Sequence, residues 1–178
     1  LLLASGPLLA GCAAPVIIAA GVGTGYVMTD DQSRRKVDRF FHDLSRSVRQ
    51  TTRRLSGDRP ARSASASGRK ADFTLRVRKT TLTPVTVGKG ATVTVTLQYA
   101  LSGGPAGGSR VEVQRSLLRE GKRLTVLNPE TATRENGTWE NTLTFAVPDS
   151  ARPGRYAVRQ EISARGLTRT TERGFTVR

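Results

Sequence analysis

The stretch that most constrains this chain is Ala91–Tyr99, where Ala91, Val93, Val95, Leu97 and Tyr99 alternate with Thr92, Thr94, Thr96 and Gln98. A repeat of two puts the apolar side chains on one face of a β-strand and the polar ones on the other, the pattern of a half-buried antiparallel strand. Gly88-Lys89-Gly90 turns the chain into it, and Ser102-Gly-Gly-Pro-Ala-Gly-Gly108 takes the chain out. The same period recurs in Phe73, Leu75 and Val77, in Val111–Leu118 and Lys122–Leu127 around Glu120-Gly121, and in the Trp139, Leu143, Phe145 and Val147 face. Tyr156–Ile162 follows; Arg165-Gly166 turns the chain again, and Leu167–Val177 closes the series with Phe175 and Val177 facing in. Asn136-Gly137 is a strong turn signal, and a hairpin there would pair Thr131–Glu135 with Thr138–Val147. Seven or eight short strands over residues 72–178 predict a mainly β fold, an antiparallel β-sandwich.

The other end of the chain has a different character. Leu1 to Met28 holds no charged residue, and within it Leu8-Leu9-Ala10-Gly11-Cys12 contains the only cysteine. Uncleaved, the stretch exceeds the roughly 20 apolar residues a transmembrane helix needs. Cut at Gly11, it leaves Ala13–Met28, short for a span and interrupted by Pro15, Gly21, Gly23 and Gly25. The order Leu9-Ala10-Gly11-Cys12 resembles the lipobox of bacterial lipoproteins. That resemblance implies cleavage between Gly11 and Cys12, acylation of Cys12, and an envelope location held by membrane lipid. Ala13 after the cysteine implies, by the sorting rule of such proteins, the outer membrane facing the periplasm. The sequence starts without Met or a charged n-region, so residues 1–11 read as a signal peptide truncated at its start. With one cysteine there is no internal disulfide, and the fold must be held by its core. Gly21-Val-Gly-Thr-Gly25 lacks the Lys-Ser/Thr of a phosphate loop and reads as a flexible or membrane-skimming flank over 12–28.

Between the two ends the period changes to that of a helix. Thr29-Asp30-Asp31-Gln32 has the form of a capping box, and Val37, Phe40, Phe41, Leu44 and Val48 fall on one face. Gly57 and Pro60 stop the pattern, so a basic amphipathic helix is expected over 29–55. Two readings stay open. Arg34, Arg35, Lys36 and Arg39 could lie on an anionic membrane surface with Phe40 and Phe41 dipping in; or the apolar stripe packs on the following domain or on another copy of the chain. Residues 56–71, with Arg62-Ser-Ala-Ser-Ala-Ser-Gly, read as a flexible linker.

The net charge of +15 is unevenly placed: residues 34–70 hold 12 Lys/Arg against 3 Asp. Such a balance points to nucleic acid or an anionic surface. An exported chain meets little nucleic acid, and 24 Arg against 5 Lys in a chain rich in Ala and Gly reads partly as GC-rich coding. No nucleic-acid partner is expected; an anionic envelope polymer or another envelope protein is.

The Trp139–Val147 strand and Pro148…Pro153-Gly154-Arg155-Tyr156 resemble bacterial immunoglobulin-like domains. In these a Pro-Gly-x-Tyr corner carries the chain between sheets with its Tyr in the core. The resemblance covers about 60% of the chain, lacks the inter-sheet cysteine pair of antibody domains, and implies a fold, not an activity.

No catalytic set emerges. The one histidine, His42, has no Cys, Asp or Glu at metal-ligand spacing, there is no Gly-x-Ser-x-Gly, and the acids of 72–178 are scattered singly among 17 Lys/Arg. Those acids read as surface ion-pair partners. Arg110, Arg115, Arg119, Lys122 and Arg123 are the candidate basic patch, set against a solvated sheet face. Ser102–Gly108 and Asn128–Gly137 are the candidate binding loops, and Trp139 and Tyr156 read as core more than as ligand stackers. No metal, cofactor or enzymatic activity is expected. The sequence thus predicts a non-catalytic, lipid-anchored envelope protein presenting a sandwich for interaction or assembly.

Overall fold

The computed structural model describes residues 31–57 and 72–178. The lipobox and Cys12, the flank to Met28 and linker residues 58–71 lie outside them. Helix α1 (Asp31–Ser47) is followed by nine strands: β1 (Arg49–Gly57), β2 (Thr74–Thr83), β3 (Thr86–Val87), β4 (Thr92–Ser102), β5 (Ser109–Arg119), β6 (Lys122–Arg134), β7 (Gly137–Ala146), β8 (Gly154–Ala164) and β9 (Leu167–Val177). They form two sheets, ordered β1-β7-β4-β2 and β3-β9-β8-β5-β6, packed as an immunoglobulin-like sandwich. Every pairing is antiparallel except that of the short β3 with β9.

The alternation of β4 is realised in full. Val93, Val95, Leu97, Tyr99 and Leu101 are buried, while the threonines between them face outward. Glu120-Gly121 and Arg165-Gly166 make tight hairpin turns, all four residues having positive φ. Tyr156 fills the core as the corner motif implies, stacked on Phe175 at 5.5 Å with its hydroxyl donating to Arg152 O at 2.8 Å. Asn136-Gly137 does not close a hairpin. It carries the chain across from β6 in one sheet to β7 in the other, and the Asn136 amide clasps Gly104 through both its N–H and its C=O at 3.0 Å. Most of Asn128–Gly137, expected as a loop, is the second half of β6.

The helix expected over 29–55 ends at Ser47, and residues 49–57 are a strand along the free edge of β7. Two local effects stop it. Ser45 and Ser47 turn their hydroxyls back onto the carbonyls of His42 and Leu44 (2.9 and 2.7 Å), which competes with helical bonding. Thr51 and Thr52 then suit an extended chain, and β7 offers a register from Arg49↔Thr144 to Gly57↔Gly137. Ser47 Oγ also accepts from Ala146 N at 3.0 Å, which pins the helix end to β7.

The apolar stripe of α1 lies on the sandwich. Leu44 is buried in the core, and Phe40 and Val48 pack against the same cluster. Phe40 therefore does not dip into a bilayer; the domain-packing alternative is the one observed. Residues 58–71, read as a flexible linker, lie outside the described residues. They join β1 to β2, the two edges of one sheet, at one end of it: Gly57 neighbours Gly137, Gly137 neighbours Leu101, and Leu101 neighbours Leu75. That crossing is three strand spacings, about 14 Å.

Candidate functional site

The polar side chains that meet inside the sandwich come from positions where apolar residues would be expected. In β5 the inward row is Ser109, Val111, Val113, Arg115 and Leu117; in β7 it is Trp139, Asn141, Leu143 and Phe145; in β8 it is Tyr156, Val158, Gln160 and Ile162. Arg115, Asn141 and Gln160 lie at the same level of the three strands. They divide the core into one cluster containing Val93, Leu143, Phe145, Val158 and Phe175 and another containing Leu75, Tyr99, Val113 and Ile162.

Arg115 is wholly buried. Its Nε donates to Gln160 Oε1 at 3.0 Å, its Nη2 donates to Asn141 Oδ1, and its Nη1 has no partner among the described residues. Gln160 Nε2 donates onward to Thr80 Oγ1 at 2.6 Å. Asn141 Nδ2 donates to Thr52 Oγ1 at 2.7 Å and to Glu130. Glu130 also accepts from Gln50, from Thr52 Oγ1 (3.1 and 3.2 Å) and from Arg134. Through this network β1 is tied to the core by Gln50 and Thr52, polar residues at inward positions. A buried guanidinium requires such neighbours, because an unpaired charge there would cost several kcal/mol.

The electrostatics follow from burial. Desolvation pushes the Arg115 guanidinium down to about 10, with Glu130 and Tyr99 opposing it; the group is a cation at neutral pH. Burial likewise pushes the Tyr99 phenol up to about 12, against the pull of Arg134 and Arg115. On the outer face, Glu140 is held below the usual carboxylate range by the Gln98 amide and then by Arg53, whose guanidinium lies 2.6 Å from it.

The basic patch expected from Arg110, Arg115, Arg119, Lys122 and Arg123 does not assemble. Arg115 faces in with the apolar row of β5, which removes it from the surface. Arg110 and Arg119 sit at opposite ends of β5, nine residues or about 30 Å apart. Arg110 pairs with Glu112 at 2.9 Å, and Arg119 pairs with Glu120 at 3.3 Å and lies over the Tyr156 ring. Lys122 and Arg123 are exposed at the β5–β6 turn.

Six of the nine acids of 72–178 are paired, and Asp72, Asp149 and Glu161 make no ion pair among the described residues. Glu112, Glu120, Glu130, Glu135, Glu140 and Glu172 each make an ion pair with an arginine. Trp139 is half-buried, with Arg134 and Arg54 over its ring at 4.9 and 5.6 Å and its Nε1 donating to Glu135 O at 3.0 Å. A groove of about 160 Å³ lies between α1 and β6, lined by Phe41, Leu44, Val48, Val126 and Leu127 among others.

Of the helix residues assigned to a membrane surface, Arg35 and Arg39 are exposed, Phe40 is turned to the core, and Phe41 lines that groove. Arg34 and Lys36 lie on α1, but their side chains are outside the described set. Among the described residues no three His, Cys, Asp or Glu side chains come together as a metal site, and no helix is long and apolar enough to cross a membrane.

The polar layer leaves a signal in the sequence. Arg115, Asn141 and Gln160 each interrupt an apolar row at the inward parity.

No family model and no curated protein matches the chain. Solved structures give loose likenesses. A conjugative transposon lipoprotein from Bacteroides eggerthii is 19% identical over 58% of this chain and 95% of that one, with a TM-score of 0.33. The CARDB domain of a Pyrococcus furiosus protein is 16% identical over 60% and 92%, at 0.39. The alkylpurine DNA glycosylase AlkC of Pseudomonas fluorescens is 14% identical over 58% of this chain, at 0.39, and the chain spans only 30% of its length. At these values the likenesses carry no argument about this chain.

Proposed function

We propose that the chain is a bacterial envelope lipoprotein. Residues 1–11 are removed, Cys12 carries the acyl chains, and the immunoglobulin-like sandwich is presented, without catalysis of its own, to another envelope protein. The outer membrane, facing the periplasm, is the location implied by Ala13 after the lipobox. The observation that carries the presentation role is that α1 and β1 are built into the sandwich through Leu44 and the β1–β7 ladder. The described segment nearest the anchor in sequence is thus part of the displayed domain. The six Glu–Arg pairs support a structural use of the acids. Mass spectrometry of the membrane fraction tests the anchor: the expected product starts at an acylated Cys12, and a mature chain retaining Leu1–Gly11 overturns it. Crosslinking in cells followed by mass spectrometry tests the partner. A single saturable envelope protein is expected, and recovery of lipid or polymer alone overturns it.

A further inference from the structure

With its apolar side spent on the sandwich, α1 has one face left. Counting 100° per residue from Leu44, the opposite side carries Arg35, Arg39, His42 and Arg46, a line at i, i+4, i+7 and i+11. All four are exposed. The line is about 16 Å long at 1.5 Å per residue. Asp38 and Asp43 flank it, and Asp43 Oδ1 lies 3.5 Å from His42 Nδ1, yet among the described side chains no acid ion-pairs with Arg35, Arg39 or Arg46. On the sandwich, Arg53, Arg54, Arg110, Arg119, Arg134 and Arg159 are each matched to a glutamate, while exposed arginines such as Arg76, Arg78, Arg169 and Arg173 make no ion pair with a described acid. The stripe is the line of cations without an acid partner that lies nearest the proposed anchor in sequence.

We infer that this stripe docks on the anionic phospholipid headgroups of the membrane that holds the chain. The orientation is opposite to that of an ordinary amphipathic membrane helix: the phenylalanine side faces the protein and the arginine side faces the lipid. Charge complementarity selects phosphate headgroups. The inference rests on the anchor reading for its local concentration: Cys12 lies 19 residues before Asp31, a reach of at most about 65 Å. A tethered stripe meets the surface at a high effective concentration, so a few arginines suffice where they would not in free solution. Docked this way, α1 lies between the bilayer and the sandwich. The β1 and β6 edges sit on the membrane side, and the β2–β3–β9 edge faces outward toward partners.

The test uses the full chain in vesicles of phosphatidylcholine, or of phosphatidylcholine with phosphatidylglycerol, carrying a nitroxide on His42→Cys. Acylated Cys12 does not take the label, so the new cysteine is the reporter. The label is expected at headgroup depth in the anionic vesicles only, and to move into water as salt rises. In Arg35→Gln/Arg39→Gln/Arg46→Gln the docked-to-undocked ratio is expected to fall on the order of a hundredfold while the chain stays with the vesicle. These side chains touch no core residue, so an unchanged circular dichroism spectrum is expected of the variant. A label equally wet in both vesicle types, a triple variant that docks as before, or binding to soluble polyphosphate without headgroup contact overturns the inference.

The Cys12→Ser/His42→Cys chain, in which residue 42 carries the one thiol, separates the two readings. Failure of the anchor leaves headgroup contact that rises with added anionic lipid. Failure of the stripe leaves an anchored chain whose label stays in water.

Discussion

Asn141 binds Arg115 with its carbonyl and Thr52 with its amide, the latter at 2.7 Å, so one buried side chain joins the centre of the sandwich to its N-terminal strand. The join is made of polar atoms in a region where both neighbouring clusters are aliphatic and aromatic. Its energetic meaning depends on which member is removed.

Removing the acceptor is expected to hurt more than removing the cation. Asn141→Leu leaves the Arg115 charge short of a partner inside the protein and deprives Glu130 of a donor, at a cost of about 3–5 kcal/mol. Arg115→Met deletes the charge and keeps much of the volume, and is expected to lie within about 1–2 kcal/mol of the parent. Urea unfolding of the two variants reads the order, and an Asn141→Leu protein as stable as the parent would refute it.

Alkaline titration is expected to show Tyr99 ionising late. Its phenol is pushed up to about 12, chiefly by burial, so from pH 10 upward the folded chain keeps a proton that the unfolded chain gives up. The stability from this group is complete below pH 10 and is lost as pH rises through 12. Arg115, pushed down to about 10, acts in the opposite sense, and the Tyr99→Phe chain isolates the tyrosine's share. Absorbance at the phenolate band should lose its last phase in Tyr99→Phe. The alkaline fall in melting temperature should become shallower in the same variant. A Tyr99 that ionises with free tyrosine contradicts both.

Leu44→Ala is expected to undock α1 before it unfolds the sandwich. Leu44 is 2% exposed and is the residue of α1 wholly inside the core cluster. Its truncation costs about 2–4 kcal/mol, concentrated on the helix. Hydrogen exchange should speed up over 31–47 and stay slow in β4 and β8. Equal acceleration throughout would show that the helix and the sandwich unfold as one unit.

Gly108→Ala is expected to destabilise the turn from β4 into β5. Gly108 has φ +84°, and a Cβ there would stand 2.9 Å from the Arg134 carbonyl oxygen. A side chain at that φ and that distance costs about 1–3 kcal/mol. Gly107→Ala, where a Cβ would meet nothing, is the matched control in a thermal melt.

What could be read in advance follows from how each element meets its surroundings. β4 declares itself because one face is fully apolar and the other is threonine. β1 does not, because its inward positions Gln50 and Thr52 are polar and meet Asn128 and Glu130 of β6, while Arg54 is exposed and pairs with Glu135 in the turn after it. A strand whose inner face is polar has no apolar period, and the continuing run of arginines looks like more helix. Arg115 was misplaced for a related reason: a cation was assigned to the surface by type, although Val111, Val113 and Leu117 put it inside by parity. The Asn136-Gly137 turn was correctly seen as a turn, but no local signal says whether the next strand returns to the same sheet. The tyrosine corner was legible because proline, glycine and tyrosine each fix a local conformation or a burial.

The placing of β1 and β2 at opposite edges of one sheet has a mechanical consequence. Tension applied from the N-terminal side reaches α1 first, then the β1–β7 ladder, and only then the connection to β2. Packing of Leu44 and the sheet bonds of β1 therefore bear the load in series, ahead of every other strand. A pull strong enough to peel β1 from β7 would also strip Gln50 and Thr52 from Glu130 and Asn141, opening the interior polar layer to water. In such a chain the first part to yield under force is its N-terminal helix and strand, and the remaining eight strands keep their pairing with one another.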